Sequence, residues 1–150
     1  MPSGSDTNGC FRDPHATADA IRPGGWYASG DLGELAADGA LFVVGRLKEM
    51  IIRSGFNVCP GEIEVVLNTW PATRRSAVVG QREADGNEQV LAYVELRQGH
   101  ALDREALAAF SVENLAPYKR PSHVQPVTSL PMTESGKVLK RQLVEMYPPG

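Results

Sequence analysis

An α+β fold, in which a small β-hairpin precedes a mixed three-stranded sheet flanked by helices, is what the sequence predicts. Short apolar runs of strand length are separated by turn residues, and stretches with helical spacing are interleaved with them. The resulting order is a hairpin, a helix, two strands, a helix, a strand and a final helix, which packs as a small sheet with helices against it.

Residues 1 to 25 are rich in Gly, Pro, Asp, Asn and Ser, without apolar periodicity, and read as a loop or tail. Gly33 to Leu35 and Leu41 to Val44 are strand-like, and the Asp38-Gly39 between them suits a hairpin turn. Met50 to Arg53 is a short apolar strand, broken by Ser54-Gly55 before Phe56-Asn57-Val58. Pro60 opens a helix with Glu62 and Glu64 in its first turn, at its positive end, Ile63, Val66, Leu67 and Trp70 on one face, and Pro71 as its stop. Ser76 to Val79 and Gln89 to Leu96 read as strands joined by the polar turn Glu83 to Asn87. Asp103 caps a helix that carries Leu107, Phe110 and Leu115 toward the core and ends before Pro117. Val124 to Val127 is a third strand, 131 to 137 a loop, and Leu139 to about Met146 a terminal helix.

Length and composition narrow the function classes. A chain of 150 residues fits one domain with room for an appended segment. Fifteen Lys plus Arg against eighteen Asp plus Glu, a net charge of −3, give no global field for nucleic acid, so any anion site must be local. The N-terminus MPSGSDTNGC lacks the basic and apolar regions of a secretory signal, and no apolar run reaches membrane-spanning length. Cys10 and Cys59 form no CxxC, and His15, His100 and His123 are scattered, so no bound metal is expected in this chain. A reduced, cytoplasmic setting follows as the simpler expectation, with Cys59 a small buried hydrophobe.

Three separated motifs carry chemistry. They are Gly25-Trp26-Tyr27-Ala28-Ser29-Gly30-Asp31-Leu32-Gly33, then Gly45-Arg46-Leu47-Lys48-Glu49-Met50-Ile51-Ile52-Arg53-Ser54-Gly55 running into Asn57-Val58-Cys59-Pro60-Gly61-Glu62-Ile63-Glu64, and finally Pro131-Met132-Thr133-Glu134-Ser135-Gly136-Lys137. Together, in this order and over roughly residues 9 to 146, they resemble the C-terminal half of adenylate-forming enzymes, the superfamily of acyl-CoA synthetases, peptide synthetase adenylation domains and beetle luciferases.

The resemblance implies an AMP-forming ligase that turns a carboxylic acid and ATP, with Mg2+, into an acyl adenylate and pyrophosphate, then passes the acyl group to the thiol of coenzyme A. It implies that Lys137 is the catalytic cation between carboxylate and α-phosphate, a compact charge on a long stem. Asp31 matches the carboxylate that accepts from the ribose hydroxyls, and Arg46 the arginine that contacts ribose or phosphate. Lys48 falls at the hinge, so residues 1 to 47 would be the tail of a large N-terminal AMP-binding domain and 48 to 150 a mobile C-terminal domain. Ser54 and Gly55 would face the coenzyme A arm after rotation. The large domain, with its phosphate loop and acyl pocket, is the implied partner, and this chain alone is expected to be inactive.

Ser29 stands where the family often has Thr, keeping the hydroxyl, while Phe56 and Cys59 depart from its usual residues near the thiol path. Met50, Ile51, Ile63, Val66, Leu67 and Trp70 are expected in the core. The lysine hinge favours acyl-CoA ligases over peptide synthetase adenylation subdomains. A non-catalytic docking module, suggested slightly by the Met1 start and the missing phosphate loop, is the alternative from another class.

Overall fold

The structure, a computed structural model, describes residues 9–10 and 12–148. Its first element corrects an expectation. Within the segment read as loop or tail lie helix α1 (Pro14–Ala20) and β1 (Ile21–Arg22), which forms a two-stranded ribbon with β2 (Trp26–Tyr27) just beyond it. Asp13 caps the helix by accepting from the Ala16 N–H at 2.9 Å, and Pro14 takes the first helical position, where a missing N–H costs nothing. The helix buries no side chain, so no apolar stripe announced it. The remainder of the expected tail, residues 1 to 8 and 11, lies outside the described residues.

Strands β3 (Asp31–Leu35) and β4 (Leu41–Arg46) form the expected hairpin, with Asp31 opposite Arg46 and a register shift between Leu32 and Gly33. A 3₁₀ turn, Leu47–Glu49, follows and is tied back by the Leu47 N–H donating to Gly30 O at 2.9 Å. Strands β5 (Ile51–Arg53) and β6 (Phe56–Val58) then pair through Ser54 and Gly55, at φ 51° and 80°. Positive φ at both central residues is the turn whose twist matches paired strands.

Helix α2 (Pro60–Asn68) packs on β7 (Thr73–Arg82), which pairs antiparallel with β8 (Glu88–Leu96). Helix α3 (Arg104–Asn114) crosses over to β9 (His123–Val127), which runs parallel to β8 as the sheet's edge, and α4 (Lys140–Met146) closes the described chain. The sheet is therefore mixed, in the order β7-β8-β9, as predicted. Pro126 is tolerated within β9 because an edge strand has one unpaired side.

The strand period of two divides the core between two faces. Val78, Val90 and Ala92 join Ile51, Val58, Ile63, Leu67, Leu107 and Leu115 on the side of α2 and α3. Ala77, Leu91 and Tyr93 point the other way, to Val127, Leu130 and Leu143 of α4. Burial on both faces makes the sheet a rigid platform from which the loops at its ends project.

Candidate functional site

Two charged groups stand at matched positions of the β3–β4 ribbon. Asp31 opens β3 and Arg46 closes β4, and antiparallel register brings Arg46 Nε to 3.1 Å from Asp31 Oδ1. The pair is solvent-accessible, with side chains 27% and 55% exposed, so it can still take a ligand. Ser29 Oγ accepts from the Asp31 N–H at 3.2 Å and fixes the approach to the strand after Gly30.

The chain then enters the 3₁₀ turn. Lys48 is exposed on it, and Glu49, half-buried, points into the fold. Met50, expected in the core, is half-buried and lines a groove of about 960 Å³ together with Lys48, Glu49 and Lys137. The other expected core residues are there: Ile51, Ile63 and Leu67 are buried, with Val66 and Trp70 packed against them.

Lys137 ends a tight local turn. The Thr133 N–H donates to Lys137 O at 2.8 Å, the Lys137 N–H to Thr133 Oγ1 at 3.0 Å and the Gly136 N–H to Thr133 O at 2.9 Å. Gly136 sits at φ 83°, a left-handed conformation that glycine adopts without strain. Met132 bridges to Val138, so the turn is a small hairpin carrying an exposed lysine at its base.

Glu49 links these two regions. Its carboxyl is held below the usual glutamate value, first by the hydrogen bond from Lys140, against the opposing effect of burial, and then by the charges of Lys140, Lys137 and Arg46. Glu49 and Lys140 line both the groove at Lys137 and the groove at Asp31 and Arg46, so the two adjoin. Ser54 and Gly55 line neither the groove at Lys137 nor the smaller one, about 360 Å³, beside Asp31 and Arg46. The Ser54 N–H donates instead to Asn87 Oδ1 at 2.7 Å, and Phe56 stacks on Tyr118 at 4.4 Å.

The sequence reading left out Lys140. Its ammonium lies 2.8 Å from Glu49 Oε2 and 3.0 Å from Glu64 Oε1. Glu64, read as an acid of the first helical turn, lies beyond that turn and accepts from the Val78 N–H at 2.8 Å. The sequence holds all three residues, but nothing in it signals that packing brings them together. Cys59 is buried as expected, donating its S–H to Val44 O at 3.1 Å. Among the described residues no group of three or more His, Cys, Asp or Glu side chains is placed to hold a metal ion, and no helix is long and apolar enough to cross a membrane.

Over residues 62–137 the chain matches the family described as AMP-binding enzyme C-terminal domain. It is 40% identical over 142 residues to the 2-succinylbenzoate–CoA ligase of Geobacillus kaustophilus, covering 95% of this chain and 29% of that protein. It is 36% identical over 138 residues to 4-coumarate–CoA ligase-like 4 of Oryza sativa subsp. japonica, covering 92% of this chain and 25% of that one. Among solved structures, ATP-bound MatB from Rhodopseudomonas palustris superposes with a TM-score of 0.86 at 36% identity, over 93% of this chain and 28% of that one. The o-succinylbenzoate CoA synthetase of Bacillus subtilis, in complex with its acyl-adenylate intermediate, gives 0.81 at 32%, over 91% and 28%. The chain therefore spans between a quarter and a third of the length of these relatives.

Proposed function

The chain belongs to the AMP-binding enzyme C-terminal domain family, and on that premise we propose that it is the mobile C-terminal part of an ATP-dependent acyl-CoA ligase. Its substrates would be a carboxylic acid, ATP as the Mg2+ complex, and coenzyme A. Acid and ATP give acyl adenylate and pyrophosphate; adenylate and the coenzyme A thiol give thioester and AMP.

The observation that carries this reading is that Glu49 and Lys140 line both the groove at Lys48 and Lys137 and the groove at Asp31 and Arg46, so the two grooves adjoin. Lys137 would offset the repulsion between substrate carboxylate and α-phosphate and stabilise charge in the transition state. Asp31 would accept from ribose hydroxyls and Arg46 would contact ribose or phosphate, the pair being already oriented by its 3.1 Å contact. Lys48 would be the pivot that exchanges Lys137 for the Ser54-Gly55 turn, so that coenzyme A can approach backbone at Gly55, where nothing lies within 4 Å of an added Cβ.

A large N-terminal adenylation domain is the proposed partner, with residues 1 to 47 as its tail and 48 to 150 as the swinging part. The 25% to 29% share of the curated relatives supports this, and so do both faces of the β3–β4 ribbon, with Leu35, Leu41 and Val43 on one and Phe42 on the other, all more than half exposed. The two free thiols, Cys10 and Cys59, support a cytoplasmic setting. ATP–pyrophosphate exchange tests the reading: none is expected from this chain alone, and exchange should return when the matching large domain is supplied. A chain that binds the large domain without restoring exchange would be a docking module instead.

A further inference from the structure

Lys140 opens α4, three residues past Lys137, and its side chain is only 23% exposed. The two carboxylates that meet it come from separate parts of the chain. Glu49 ends the 3₁₀ turn and directly follows Lys48, while Glu64 belongs to α2 and is held to the central sheet through the Val78 N–H. Desolvation pulls the Lys140 pKa down, but the charges and hydrogen bonds of Glu64 and Glu49 outweigh it and leave it raised, so the ammonium stays charged. Hydrogen bonds between such ionised partners are short and directional, and they fix the geometry of what they join.

Resting on the ligase reading, we infer that Lys140 is a positioning residue: it clamps the position just downstream of the Lys48 pivot to the helix that follows the Lys137 turn. The bonds inside that turn join Thr133, Ser135, Gly136 and Lys137 to one another, so they shape the loop without orienting it in the molecule. Orientation comes from its flanks, where Met132 meets Arg75 of β7, Val138 packs into the cluster that buries Leu143, and Lys140 reaches Glu49 and Glu64. With the clamp in place, a rotation at Lys48 carries the Lys137 turn as one body. Without it, the change in backbone angle spreads over the residues after the pivot and Lys137 arrives out of place. A misplacement of about 1 Å costs a reacting group on the order of a hundredfold.

Lys140→Met keeps the stem and removes the charge. In this chain assembled with its large domain, it should lower kcat for pyrophosphate exchange by on the order of 10- to 100-fold while the KM for ATP changes less than about threefold, and Lys140→Arg should restore most of the rate. A change confined to KM, no change, or an arginine variant as slow as the methionine one would overturn the clamp. Amide hydrogen exchange on the 150-residue chain alone gives an arm independent of activity. The methionine variant should exchange faster across residues 47 to 50 and 131 to 139, with β7 and β8 unchanged. Uniformly faster exchange, or none in those segments, contradicts the proposal. If the assembled wild type performs no pyrophosphate exchange, the ligase reading falls, and the hydrogen-exchange arm still decides the clamp.

Discussion

At the scale of single residues, charge placement governs the site. Asp31, Arg46, Lys48 and Lys137 could be singled out in the sequence because each sits in a short motif of contiguous residues. The Lys140–Glu49 contact could not, because 91 positions separate the two residues and only the packing of α4 against the platform joins them. Their titration gives a checkable consequence. Glu49 is depressed below its usual 4.5, so its contribution to stability is present above that value and lost as pH falls through the lower, folded one. Lys140 is raised above 10.5, so its contribution is present below that value and lost as pH rises through the higher, folded one. Urea midpoints measured between about pH 3 and pH 7 should therefore separate wild type from Glu49→Gln most at neutral pH and bring them together in acid. A gap that widens in acid would refute that assignment. In the core, Ile63→Ala should cost about 2–5 kcal/mol in denaturant unfolding, since Ile63 is fully buried between α2 and the sheet; a cost under about 1 kcal/mol would mean the site collapses without a cavity.

At the scale of elements, burial decided what could be read. Helices α1 and α3 both begin at an aspartate that accepts from an N–H three residues on, at 2.9 Å in each case. Only α3 was found, because Leu107, Phe110 and Leu115 mark its inner face, whereas α1 buries nothing. Strand β7 extends beyond the predicted Ser76 to Val79 at both ends, since pairing with β8 holds polar Thr73, Arg75, Gln81 and Arg82 in extended backbone. Asp103→Ala should cost about 1 kcal/mol of stability through loss of the α3 cap. Gly55→Ala should cost about 1 kcal/mol despite open space around it, because φ at 80° strains any residue with a Cβ. Both are read from denaturant midpoints, and an unchanged midpoint for Gly55→Ala would mean the turn relaxes to another geometry.

At the scale of the whole molecule, the sheet and its helices form one body, and the Lys48 turn leads from it to the β3–β4 ribbon bearing Asp31 and Arg46. The S–H of Cys59 donating to Val44 O crosses that turn, as does the close approach of Gly45, where an added Cβ would lie 2.5 Å from the Cys59 sulfur. In this arrangement the groove at Lys137 adjoins the one at Asp31 through Glu49 and Lys140, and the Ser54-Gly55 turn lines neither. The central claim is that Lys137 serves the adenylating step alone. Two unit charges about 4 Å apart at an effective dielectric near 20 interact by about 4 kcal/mol, a factor of several hundred in rate. The decisive measurement compares both half-reactions of Lys137→Ala with wild type in the chain assembled with its large domain. Adenylate formation should fall several hundredfold, while thioester formation from preformed adenylate stays within about threefold; equal losses in both steps would contradict the account.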